Sequence, residues 1–108
     1  MSSIDRYIED YNAAVRSAEW DEFAEWFTDE AEVRFEGPPV GPYHGRDEIR
    51  AAYAASPPDD EVEIRRVRSD GDRTLADYGW VQEPGVRAGE LRITWEGDRI
   101  RELVITFD

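Results

Sequence analysis

The stretch WDEFAEWFTDEAEVRFEGPPVGPYHGRDEIRAAY, Trp20 to Tyr53, changes its hydrophobic period twice and so decides the fold. Phe23, Trp26 and Phe27 fall three and four residues apart, which predicts a short helix with one apolar stripe. Val33 and Phe35 then alternate with Glu32, Arg34 and Glu36, the period of a strand with one covered and one wet face. Asp29 and Glu30, between the two, read as surface turn carboxylates. Gly37-Pro38-Pro39 and Gly41-Pro42 end the strand, because proline gives a ladder no N–H and glycine tolerates turn geometry. A helix restarts after Gly45, with Asp47 and Glu48 in the first turn, where the backbone dipole favours anions. Ile49, Ala52 and Tyr53 form its inward side.

Upstream, Ile4, Tyr7, Ile8, Tyr11, Ala14, Val15 and Ala18 repeat at helical spacing and predict a first helix over residues 3–18. Ser2, three residues before Asp5, resembles a capping-box start. Downstream, Ser56-Pro57-Pro58 stops the third helix and everything after it reads as strand. Val62 and Ile64 alternate with charge, but Val67 is out of phase across Arg65-Arg66, which predicts a bulge. Turns at Asp70-Gly71-Asp72, Pro84-Gly85 and Glu96-Gly97-Asp98 separate the later strands. The inward set is Val33, Phe35, Tyr78, Trp80, Leu91, Ile93, Trp95, Leu103, Ile105 and Phe107, each worth about 1.5 to 3 kcal/mol when buried. The pattern is one α+β domain over residues 1–108: three N-terminal helices and a meander of four antiparallel strands joined to one earlier strand.

Twenty-six acidic residues face 13 basic ones, all arginine, for a net charge of -13. Such a surface repels phosphate backbones and anionic lipid, which argues against nucleic-acid and membrane partners. Halophilic adaptation and GC-rich codon usage both produce this composition. The absence of cysteine removes disulfides and thiolate chemistry, and a single histidine argues against a zinc site. The acidic N-terminal segment lacks the basic start and apolar run of a leader, and the chain reads as cytoplasmic.

The first helix, WDEFAEWFTDEAEVRF, GPYHGRDEIRAAYA and the strands ending in ITWEGDRIRELVITF together resemble the nuclear transport factor 2-like superfamily. Within it they are most similar to the SnoaL-like and ketosteroid isomerase-like small domains. The resemblance covers nearly the whole chain. It implies a strongly curved antiparallel sheet wrapped around the three helices, a cone-shaped, cystatin-like barrel, and a homodimer formed through the outer sheet face that carries Arg92 and Thr94. That fold hosts isomerases, cyclases, epoxide hydrolases and binding proteins, so it specifies no single activity.

Within this resemblance Tyr11 matches an oxyanion-hole tyrosine and Tyr53 the tyrosine that supports it by a hydrogen bond. The carboxylates do not carry over: Phe35 stands at the base position and Leu91 at that of the protonated acid, so the steroid isomerase mechanism is not implied. An epoxide-hydrolase constellation is not formed either, since Arg92 and Asp77 alternate away from the apolar face.

The resulting expectation is a pocket for a small, neutral, hydrophobic molecule, with no cofactor and no metal. Tyr11 is its polar anchor, and its wall is Tyr11, Val15, Phe35, Tyr53, Tyr78, Trp80, Leu91, Ile93, Leu103 and Ile105. Tyr43 is a further wall candidate. If there is chemistry, it is isomerase-like or cyclase-like, with Tyr11 as donor and His44 or Glu36 as proton acceptor. Alternation points Glu36 outward unless the strand bulges before Gly37. The alternative is a non-catalytic dimerisation or protein-interaction module with a filled core.

Overall fold

The computed structural model describes residues 3–108. The first helix, α1 (Ser3–Ser17), buries Ile4, Tyr7, Ile8, Tyr11 and Ala14 along one stripe. Its Ser2 cap lies outside the described residues. Ala18, at φ 63°, closes the helix with its N–H on the Ala14 carbonyl, 2.7 Å away.

The second helix is shorter than its apolar stripe predicts. α2 (Trp20–Ala24) ends in a turn, and Phe27 already opens β1 (Phe27–Glu36). Phe23, Trp26 and Phe27 still converge, all three rings lying within 6.4 Å of Tyr7. The stripe is therefore a real cluster built on a helix, a turn and a strand. Phe27 leaves the helix because its backbone pairs with Ile100, and its carbonyl accepts from the Arg46 Nε and Nη2 at 3.0 and 2.9 Å. Asp29 and Glu30 are exposed, as expected, but belong to β1 and not to a turn.

A two-residue strand, β2 (Tyr43–His44), follows the glycine-proline loop and pairs with β1. α3 (Arg46–Ala55) begins after Gly45, whose φ of 86° suits glycine. The meander then runs through β3 (Val62–Asp70), β4 (Arg73–Trp80), β5 (Gly89–Glu96) and β6 (Arg99–Thr106). The irregularity expected at Arg65-Arg66 is present: the β3–β4 register shifts between Ile64 and Arg66.

One sheet holds all six strands in the order β2-β1-β6-β5-β4-β3. Two expectations are corrected here. β1 runs parallel to β6, so the sheet is mixed rather than wholly antiparallel; the long connection through α3 and the meander permits that direction. The sheet is also open, with β2 and β3 as its edges, and does not close into a barrel. The architecture is otherwise the α+β cone expected, with helices on one face. Val33, Tyr78, Leu91, Ile93 and Leu103 are at most 5% exposed on that face, whereas Phe107 lies past the end of β6 and is 40% exposed.

Candidate functional site

A cavity of about 300 Å³ opens where α1, α3 and the concave sheet face fail to meet. Every tyrosine of the chain, five in all, lines it. Tyr7 and Tyr11 stand one turn apart on α1, Tyr53 ends the inward stripe of α3, and Tyr43 and Tyr78 come from β2 and β4. Phe35, Leu91 and Ile105 form the sheet floor, and Pro38, Val40, Pro58 and Phe107 lie at the rim. No charged side chain is among the described lining residues.

Packing fixes the rings. Tyr53 stacks on Trp20 with centroids 5.1 Å apart and planes at 19°, while Tyr11 meets Trp20 and Phe23 edge-on at 6.2 and 5.8 Å. The Tyr78 hydroxyl donates to the Thr106 carbonyl at 2.9 Å. The other four hydroxyls, of Tyr7, Tyr11, Tyr43 and Tyr53, have no hydrogen-bond partner among the described residues. None of the four is sealed off, for the one fully buried side-chain polar atom without a partner among those residues is Trp20 Nε1. The hydrogen bond implied between Tyr11 and Tyr53 is thus not formed.

Tyr7, Tyr11, Tyr53 and Tyr78 stay protonated across the physiological range. Burial raises the pKa of Tyr7, Tyr11 and Tyr53 well above the ordinary value, and neighbouring tyrosines add to it. Asp60 and Asp59 push Tyr11 further in the same direction. Tyr78 is pushed up to about 12, by burial first and Asp108 second. Tyr7, Tyr11 and Tyr53 can therefore each donate a hydrogen bond to an oxygen atom of a ligand, whereas the proton of Tyr78 is taken by Thr106, and none of these four is a base near neutral pH.

Of the expected wall, Tyr11, Phe35, Tyr53, Tyr78, Leu91 and Ile105 meet at this cavity. Val15, Trp80, Ile93 and Leu103 do not line it: Ile93 and Leu103 are 1% and 0% exposed within the core, and Val15 and Trp80 pack against it. The two proposed proton acceptors are not brought to it either. His44 is exposed on β2, with Nε2 3.3 Å from Glu32, because alternation turns it out where Tyr43 turns in. Glu36 faces outward, 3.9 Å from Arg92, so no bulge swings it inward. Arg92 and Asp77 also lie outside the lining, held by Glu90 and Arg87 respectively. Tyr7 was readable only as core; its place four residues before Tyr11 on the same helical face is the signal that groups the two. Pro38, Val40 and Pro58 enter through loops whose path no periodicity predicts.

A SnoaL-like domain model matches residues 8–103. The chain belongs to the SnoaL-like family. Solved structures agree with this SnoaL-like fold over almost the whole chain. A candidate polyketide cyclase from Sinorhizobium meliloti superposes with a TM-score of 0.68 at 24% identity, covering 97% of this chain and 99% of that one. A SnoaL-like protein of unknown function from Burkholderia thailandensis gives 0.74 at 14% identity, with 98% and 94% covered. A candidate ketosteroid isomerase from Kribbella flavida gives 0.72 at 13% identity, with 95% and 76% covered. These likenesses establish the fold. No curated protein matches the sequence significantly. Among the described residues, no cluster of His, Asp or Glu is arranged to hold a metal, and no helix is long and apolar enough to cross a membrane.

Proposed function

We propose that this SnoaL-like domain binds a small, uncharged, largely apolar molecule in the tyrosine-lined cavity, with the Tyr11 hydroxyl as its polar anchor. The observation that carries this reading is the set of four phenol hydroxyls without a partner among the described residues, around an otherwise apolar space of about 300 Å³. These hydroxyls reach the cavity and are not taken up by the fold, so each has a proton to donate to a ligand oxygen placed among them. Volume and composition suit such a molecule: apolar walls with a few convergent polar groups.

If a reaction takes place, the phenols would polarise a carbonyl by donation, the chemistry of an isomerase-like or cyclase-like site. The proton acceptor would have to come from the substrate or from water, since His44 and Glu36 stand outside the lining. With Phe35 and Leu91 in the floor, a β,γ-unsaturated ketosteroid should show no isomerisation above the buffer rate. The test of binding is a titration with para-tert-butylphenol and with small cyclic ketones. Saturable binding that weakens in Tyr11→Phe supports the site, and no binding by the wild type removes it.

The outer sheet face supports a second reading, self-association. Arg34 and Arg92 sit among Glu32, Glu36, Glu90 and Glu102 and roof Val104, which is only 5% exposed. Opposite charges in adjacent rows suit a second copy of the same face.

A further inference from the structure

We infer that the same cavity takes a second class of ligand, hydrophobic amines in their cationic form, and rejects anions of the same shape. This rests on the cavity being a ligand site, as proposed above, and adds the sign of charge it tolerates. The first support is the wall itself: seven of its sixteen lining residues are aromatic and none is cationic. Phe107 at the rim lies nearly parallel to Phe35 of the floor, 6.4 Å apart at 26°, and Tyr43 meets Phe35 edge-on at 6.3 Å and 81°. Ring faces carry negative potential, and an alkylammonium held against several of them is attracted without needing a counter-ion.

The second support is what surrounds the mouth. Rim residue Pro58 runs into Asp59 and Asp60, and Phe107 into Asp108. Asp60 is fixed by the backbone N–H groups of Glu61 and Gln82, at 2.8 and 3.0 Å, and no arginine pairs with it or with Asp59 among the described residues. Arginines next to these carboxylates are already held, Arg87 by Asp108 and Asp77, and Arg16 by Glu61, the residue after Asp60. The pKa of Tyr11 is raised by burial first, then by Tyr53 and Tyr78, and last by Asp60 and Asp59, which places these two carboxylates within electrostatic reach of the cavity. A net charge of -13 adds a long-range component that draws cations toward the mouth.

An apolar cavity without this field would penalise both signs of charge, and that difference supplies the test. Three ligands of one shape are titrated into the full chain at low ionic strength by calorimetry: para-tert-butylphenol, para-hydroxyphenyltrimethylammonium and para-hydroxybenzenesulfonate. The ammonium should bind within about threefold of the neutral phenol, and the sulfonate about a hundredfold more weakly or not at all. Asp59→Asn, an exposed change, should weaken the ammonium about threefold and leave the phenol unchanged. An ammonium penalised as heavily as the sulfonate, while the phenol binds, would overturn this inference and leave the binding site standing. Failure of both phenol and ammonium would overturn the site as well. An Asp59→Asn protein that holds the ammonium like the wild type would overturn the part assigned to the rim carboxylates.

Discussion

Trp20 and Tyr53 stack at 5.1 Å with their planes 19° apart, and this contact fastens the short α2 to the last turn of α3. It positions Tyr53 at the cavity wall, yet leaves Trp20 Nε1 fully buried without a partner among the described residues. An orphaned donor of this kind costs about 1 to 3 kcal/mol. Trp20→Phe keeps an aromatic ring and removes the donor, so its cavity penalty is partly offset. The expected loss is about 1 kcal/mol or less in urea unfolding, against about 3 to 5 kcal/mol for Trp20→Ala. A Trp20→Phe loss as large as that of Trp20→Ala would show that the indole N–H has a partner in solution.

Tyr11 and Tyr78 line the same cavity but use their hydroxyls differently. Tyr78 donates to the Thr106 carbonyl, and Tyr11 has no partner among the described residues. Tyr78→Phe should therefore cost about 0.5 to 1.5 kcal/mol of stability. Tyr11→Phe should leave stability within a few tenths of a kcal/mol of wild type, while binding of para-tert-butylphenol weakens about tenfold, or about 1.4 kcal/mol. Thermal unfolding and titration of both variants check this. Equal stability losses in the two proteins would mean that Tyr11 is a structural strut.

Much of this was legible because each strand buries one face. Alternation alone put Phe35, Tyr78, Leu91 and Ile105 on the concave side, and helical spacing did the same for Tyr11 and Tyr53. Alternation also predicted that Glu36 faces outward. The out-of-phase Val67 revealed the bulge before Arg66. Periodicity could not separate residues at the cavity wall from those packed below it, because Leu91 and Ile93 share one face of β5 and differ only in how far along the cone they lie. Nor could it reveal that β1 runs parallel to β6, since strand direction is set by the path of the intervening chain. The end of α2 was misplaced for a related reason: Phe27 obeys helical spacing yet is claimed by its ladder to Ile100.

The outer face gives a prediction about assembly. Arg34, Arg92, Glu36 and Glu102 are partly exposed there, and their pairs within one chain hold only part of their hydrogen-bonding capacity. Like-charge repulsion at a net charge of -13 opposes association and is screened over about 8 Å at physiological ionic strength. Sedimentation should therefore show a monomer–dimer equilibrium that tightens from low to physiological salt. Arg92→Glu, which reverses one charge in the central row, should leave a monomer. A wild type that is monomeric at every salt concentration removes the dimer.

The tyrosine cluster also makes stability depend on alkaline pH. The unfolded phenol has a pKa of about 10, and in the folded chain burial raises that of Tyr7, Tyr11 and Tyr53 well above it and Tyr78 to about 12. Above about pH 10 the unfolded state therefore binds fewer protons than the folded state, and stability falls as pH rises. The contribution of these groups is fully present below pH 10 and is lost as pH climbs through the folded-state values. Melting temperatures measured from about pH 8 to 11 should stay level at first and then drop. Tyrosinate absorbance at 25 °C should lag behind that of free tyrosine and appear together with unfolding. Removing one buried phenol by Tyr11→Phe should shallow the alkaline slope without altering the plateau. A Tyr11→Phe protein with the wild-type slope would show that Tyr11 ionises as an ordinary exposed phenol, and its hydroxyl would then be unsuited to anchor a ligand inside the cone.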